Sequence, residues 1–228
     1  MSKIIRFRFR KGPEVRFLSH LDLLRTMERA IRRAELPVAY SEGFSPRPKM
    51  SFGFALAVGI LSEAEYGDYE FAEEVDPMEF QTLYNRHLPQ GLQVVEARDL
   101  PEGTPALMRL INAASYDLIL ADKSSAEILQ RWEWLQAQDT FMVARETKKG
   151  TRQLDILPLL FDLTSVQEGE VGAVVGCLCA LGNAANLRME ELGALLGFEH
   201  LKAVITRTGQ LIKDGAQYYP PWGIEGKE

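Results

Sequence analysis

The sequence predicts an α+β protein made of two tandem ferredoxin-like (βαββαβ) units with antiparallel sheets, the second elaborated. Three observations lead there. Residues 5–9 alternate apolar and basic, as a half-buried strand does; capped helices then interrupt strands in the order β-α-β-β-α-β; and beyond a Pro/Gly-rich stretch at 101–105 a similar order returns. The expected boundaries are 1–106 for the first domain, 107–213 for the second and 214–228 for a C-terminal tail.

In the first domain, Ile5, Phe7 and Phe9 point one way and Arg6, Arg8 and Arg10 the other, which predicts an open basic sheet face. Ser19-His20-Leu21-Asp22 reads as a capping box opening a helix that runs to Ala34. Leu24, Met27, Ile31 and Ala34 form its expected core stripe, and Arg25, Arg29, Arg32 and Arg33 its outer face. Met50, Phe52, Phe54 and Leu56 alternate as a second strand, and residues 66–75 give a third. Asp76-Pro77 starts a helix to about His87, and residues 92–100 give a fourth strand.

The second domain is expected to hold a strand at 116–121, a helix at 124–137 capped by Ser124 or Ser125, and a strand at 140–147. A Lys-Lys-Gly turn, an added strand or irregular segment at 154–163, a hairpin at 161–181, a helix at 188–196 and a strand at 203–212 complete it. Tyr218 to Trp222 is expected to lie as an extended surface tail.

Composition narrows the class. The 228 residues are 46% hydrophobic and 25% charged, which excludes disordered, collagen-like and disulfide-stapled scaffolds. Cys177 and Cys179, spaced C-x-C, supply neither a disulfide framework nor a zinc or iron–sulfur ligand set, and read as small apolar strand residues. No apolar run approaches a membrane span, and the N-terminus alternates polar and apolar residues with no continuous apolar stretch like a signal peptide's core, so a cytoplasmic protein with no membrane partner is expected. Charge is uneven: 12 of the 26 Lys and Arg but only 5 of the 32 acids fall within residues 1–50, leaving 14 against 27 for the rest. A basic N-terminal stretch of fifty residues joined to an acidic remainder predicts a localised positive face for RNA, a phosphate-bearing ligand or an acidic partner.

The residues best suited to hold an anion are Arg16, Arg25, Arg29, Arg33, Arg47 and Lys49. Ser19, His20, Asp22, Tyr40, Ser41, Gly43, Pro46 and Pro48 would shape the site, on the expectation that the loop after the first helix folds back toward the helix start. There the prolines present Arg47 and Lys49 at low entropic cost beside free helix N–H donors. The plainer alternative is that Gly43 and the prolines only turn the chain. His20 is the one weak catalytic candidate, since an imidazole titrates near neutrality, although no nucleophile is specified by spacing. His87 and His200 have no clustered partners, so no metal site is expected.

The runs Arg16-Phe17-Leu18-Ser19-His20-Leu21-Asp22-Leu23 and Glu28-Arg29-Ala30-Ile31-Arg32-Arg33-Ala34, the stretch from Leu36 to Lys49 that includes Gly43-Phe44-Ser45-Pro46-Arg47-Pro48-Lys49, and Val58-Gly59 with Ser62 and Glu65 together resemble the radical-SAM-linked protein family of bacteria, also described as a domain of unknown function. The second half agrees mainly in layout and in Ile205-Thr206-Arg207-Thr208-Gly209. The resemblance implies an accessory protein, found beside or fused to radical SAM proteins. The partner would carry S-adenosylmethionine and an iron–sulfur cluster, and this chain, which lacks C-x-x-x-C-x-x-C, would carry no cofactor. The family's loop more often has Asn and His where this chain has Ser45 and Arg47, a change that leaves an anion-binding role but no catalytic histidine there.

The function expected is an accessory protein, more a binder than an enzyme in its own right, that binds or presents an RNA or other phosphate-bearing substrate to a radical SAM protein. The alternatives are a protein-docking module with no nucleic acid and an RNA-processing or RNA-modifying enzyme using His20.

Overall fold

The computed structural model describes residues 3–101, 103–147 and 150–222. In chain order the elements are β1 (Lys3–Lys11), α1 (His20–Arg33), β2 (Met50–Phe52), β3 (Leu61–Phe71), α2 (Pro77–Asn85), β4 (Leu92–Leu100) and the short α3 (Leu107–Leu110). There follow β5 (Ala113–Leu120), α4 (Ser125–Gln136), β6 (Met142–Thr147), β7 (Gly150–Asp155), β8 (Leu160–Gly169), β9 (Gly172–Ala180), α5 (Met189–Leu196), β10 (Val204–Asp214) and β11 (Gln217–Tyr219). The protein is a mixed α/β chain whose sheets are mostly antiparallel. Its contacts divide it into two units, Met1–Ile111 with Arg207–Glu228, and Asn112–Thr206. The division runs through β10, so residues 207–213, assigned by the sequence pattern to the second domain, group with the first unit.

In the first unit β1 is the middle strand, antiparallel to β3 on one side and β4 on the other. Ile5, Phe7 and Phe9 are buried as their alternation requires, and α1 packs Leu23, Met27, Ala30 and Ile31 into the same core. Leu24, expected in the stripe, is only half-buried, and Leu23 and Ala30 face inward in its place. Phe7 stacks on Tyr69 at 5.3 Å. The hydroxyls of Tyr69 and Tyr84 bond each other at 2.8 Å and both reach the carbonyl of Met27, at 3.3 and 3.0 Å, so two phenols are buried without an orphaned donor.

Two strands depart from the sequence reading. β2 stops after three residues because the chain turns at Gly53, where an added Cβ would lie 2.4 Å from Gln210 Oε1; the same oxygen accepts from the Phe54 amide at 2.9 Å. β3 begins at Leu61 rather than Tyr66. Its first turns of alternation are masked in the sequence by Ser62 and Glu65, polar residues that are nonetheless buried because Arg207 meets them: its Nε donates to Glu65 Oε1 at 2.8 Å and its carbonyl accepts from Ser62 Oγ at 3.1 Å.

In the second unit β9 lies between β5 and β8, antiparallel to both. α4 is capped by Ser124 with a reciprocal bond from Glu127, the full capping box. Cys177 and Cys179 are buried on β9 as free thiols, their sulfurs 3.9 Å apart. The segment expected as a sheet strand at 140–147 instead pairs with β7 as a separate two-stranded sheet. That hairpin is fixed by Arg145, which grips Glu191 of α5 at 2.7 Å and the Asn186 carbonyl at 2.9 Å. Lys148 and Lys149 of the expected turn lie outside the described residues.

Candidate functional site

α1 owes its start to Ser19, whose Oγ accepts from the Asp22 amide at 3.2 Å and donates to the Asp22 carboxylate at 2.6 Å. Both polar groups are thereby used within the cap. Among the described residues no hydrogen bond joins them to the half-buried His20 imidazole. The turn before the cap is fastened from below by Lys11, which is 1% exposed and donates to the carbonyls of Arg16 at 2.9 Å and Leu18 at 3.3 Å. Burial holds the Lys11 ammonium below its usual pKa, and Glu65 partly restores it. Period two along β1 puts Lys11 on the same side as Phe9, the one sequence signal that marked it as inward-facing.

The motif loop is built at the other end of the same strands. Tyr40 bridges Pro48, Ser41 N donates to the Arg47 carbonyl at 2.9 Å, and the Arg47 amide returns to Ser41 Oγ at 3.1 Å. Gly43, at φ 117°, supplies a backbone conformation that side-chain-bearing residues rarely adopt. Ala39 and Lys49 bond the Glu70 backbone, and Lys49 Nζ reaches the Glu70 carboxylate at 2.9 Å. Of the prolines, Pro48 is buried and Pro46 exposed.

These anchors settle which predicted residues meet. Lys3 pairs with Phe71 and Lys11 with Ser62, so the loop at Glu70 and the turn held by Lys11 are separated by eight or nine strand residues, about 27–30 Å. The loop does not fold back on the helix start. Tyr40 instead sits near the far end of α1, its ring 5.9 Å from the Arg32 guanidinium. Ser19, His20 and Asp22 therefore form one group with Arg16 and Arg25, and Tyr40, Ser41, Gly43, Pro46, Arg47, Pro48 and Lys49 another.

What joins the groups is the outer face of α1. Arg25, Arg29 and Arg32 follow one another along it at a rise of about 4.5–6 Å per step. Arg25 makes a loose 3.5 Å pair with Asp22, and Arg32 pairs with Glu28 at 2.8 Å. The guanidinium groups of Arg29 and Arg47 are exposed and make no ion pair among the described residues. Arg33 turns aside to the His87 carbonyl at 2.7 Å.

The open basic sheet face is not what forms. Arg6 is 0% exposed, forked onto Asp68 at 2.7 and 2.9 Å and bonded to the carbonyls of Pro105 and Pro221. Arg8 and Arg98 share Glu96, and Arg10 meets Glu63. The C-terminal segment covers this face rather than lying as a surface tail. β11 pairs with β10, and Trp222 packs edge-on to Tyr66 at 5.3 Å beneath the Arg98 guanidinium at 4.6 Å. Burial there pushes the Tyr66 phenol up to about 12. Sequence reasoning missed Tyr66, Arg98 and Trp222 as partners because they come together only in the folded sheet.

Fold and surface thus define a two-unit, mostly antiparallel α/β protein with a basic helix ridge and, among the described residues, no helix long and apolar enough to cross a membrane. A family model described as an uncharacterized protein conserved in bacteria, DUF2344, matches residues 4–189, and the chain belongs to that family. No curated protein matches it.

Proposed function

We propose that this protein is a cytoplasmic accessory factor of a radical SAM enzyme, and that it binds or presents an RNA or other phosphate-bearing substrate along the outer face of α1. The observation that carries the binding half is the pairing of individual arginines: Arg6 is buried on Asp68 and two carbonyls and Arg8 shares Glu96 with Arg98, whereas Arg29 and Arg47 are exposed and make no ion pair among the described residues, and Arg25 and Arg32 have surface partners, as Arg10 does. A ridge of this kind suits an extended polyanion better than one compact phosphate, because the helix start and the motif loop lie at opposite ends of it. The link to a radical SAM protein, with S-adenosylmethionine and the iron–sulfur cluster on that partner, rests on the sequence resemblance. The strand order β4-β1-β3 with the short β2 beside β3 supports reading the first unit as ferredoxin-like, and β5-β9-β8 is compatible with the same reading of the second.

The test is a binding isotherm for RNA over a range of salt concentrations. A ridge engaging three or four phosphates gives a log–log salt slope of about −2 to −3. Affinity that is absent at low salt, or indifferent to salt, defeats the proposal. A protein-docking reading is favoured by one observation, the fully exposed Phe44 at the tip of the motif loop. It predicts capture of the radical SAM protein without RNA, weakened by Phe44→Ser.

A further inference from the structure

The turn at residues 16–18 is more elaborately held than a chain reversal requires. Its two carbonyls on either side of Phe17 are fixed by the buried Lys11 ammonium, and the Arg16 carbonyl also accepts from the Gly59 amide at 2.9 Å. Burying a lysine among protein groups is costly, and here Glu65, itself forked onto Arg207, offsets the charge. Yet the residue so rigidly displayed is an aromatic facing water, with Phe17 68% exposed. The Arg16 guanidinium lies over the ring at 4.6 Å and the Gly59 backbone beside its edge, and most of the remaining ring surface meets water.

An exposed aromatic ring backed by a cation, on a preorganised turn that leads into the helix of the arginine ridge, is the arrangement that holds an unpaired base while its phosphates run along the cations. We propose that Phe17 is a base-stacking anchor, and that the α1 ridge takes single-stranded nucleic acid in preference to a duplex or to a polyanion without bases. The proposal rests on the ridge being an anion-binding surface, as proposed above. A duplex keeps its bases stacked on each other and has none to offer Phe17, and an abasic strand has the phosphates alone. Leu21 and Val58, 63% and 57% exposed, add apolar surface near the same end but no flat ring.

The experiment is fluorescence anisotropy of the full chain at low salt with four labelled probes of equal length: oligouridylate, oligodeoxyuridylate, an abasic strand and an RNA duplex. The single strands with bases are expected to bind about five- to tenfold tighter than the abasic strand or the duplex. Phe17→Ala and Phe17→Leu should each bring oligouridylate down to the abasic level, Phe17→Tyr should keep wild-type affinity, and none should alter abasic binding. Tighter binding of the ribose strand assigns RNA as the natural ligand and tighter binding of the deoxyribose strand assigns DNA, and either supports stacking. Equal affinity for all four probes, or full affinity in Phe17→Leu, overturns the stacking role and leaves the ridge standing. No binding of any probe overturns the ridge and the stacking role together.

Discussion

The first fifty residues carry two rows of arginine that look alike in the sequence and differ most sharply at Arg6, which is buried, and Arg29, which is exposed and makes no ion pair among the described residues. Arg6, Arg8 and Arg10 alternate along β1; Arg25, Arg29 and Arg32 recur along α1. The strand row faces neighbouring strands that supply Asp68, Glu96 and Glu63, and at its first member, Arg6, the Pro221 carbonyl adds a further partner while Trp222 packs under Arg98. The helix row faces solvent, and among the described residues its ion-pair partners, Asp22 and Glu28, each lie one turn away on the same helix. A row of cations stays open to a ligand only in so far as the fold leaves it without buried carboxylate partners, and in a sheet those partners come from far along the chain.

The comparison can be broken most sharply by removing one cation from each row. Arg6→Met leaves Asp68 and two carbonyls without their donor in a covered site, and should cost about 3–5 kcal/mol in chemical denaturation. Arg29→Met should change stability by less than about 0.5 kcal/mol. Similar losses for both would mean that the rows are not different in kind. Next in size is the C-terminal segment: Trp222→Ala removes a ring that is 9% exposed and should cost about 3 kcal/mol, with loss of the Trp222 contribution to protein fluorescence. An unchanged denaturation midpoint would show that the C-terminal segment does not hold the sheet face.

Alkaline titration sharpens the same point with a smaller effect. Burial raises the phenols of Tyr66, Tyr69 and Tyr84, so above pH 10 the unfolded chain loses protons that the folded chain keeps. Stability should fall as pH rises from 10 toward about 12, by about 1.4 kcal/mol per pH unit for each tyrosine, and Tyr66→Phe should lessen the slope. Lys11 acts the other way just below that range: its folded pKa is lowered, the unfolded chain binds more protons there, and stability rises with pH until about 10.5. A flat profile between pH 10 and 12 would contradict the burial of these phenols. The smallest effect is expected at the motif loop, where Arg47→Ala should leave stability within about 0.5 kcal/mol while lowering affinity for RNA.

Local chemistry made much of this legible. The Ser19 cap, the Asp76-Pro77 start of α2, the ends of β4 and the Ser124 capping box all lie within a few residues of the groups that specify them. The alternation of Ile5, Phe7 and Phe9 placed the core side of β1 correctly. What could not be read were pairings across the sheet: Arg6 with Asp68, 62 residues apart, Glu65 with Arg207, 142 apart, and Tyr66 with Trp222. The expected meeting of the motif loop with the helix start does not occur, for a related reason. The helix-start motif and the proline loop flank one helix, but a 14-residue helix is about 21 Å long, so sequence neighbours on either side of it are held apart unless the loop returns. Here the loop is tied to Glu70 and does not return.

The most direct measurement compares a ridge reversal with a strand reversal in one binding assay. Arg25→Glu/Arg29→Glu/Arg32→Glu and, separately, Arg10→Glu would be titrated with the same single-stranded RNA across a salt series, after confirming unchanged circular dichroism. The expected result is loss of at least about tenfold in affinity and a salt slope reduced by about 2–3 for the ridge variant, with Arg10→Glu close to wild type. Equal losses in both variants, or none in the ridge variant, would contradict the assignment of α1 as the binding surface.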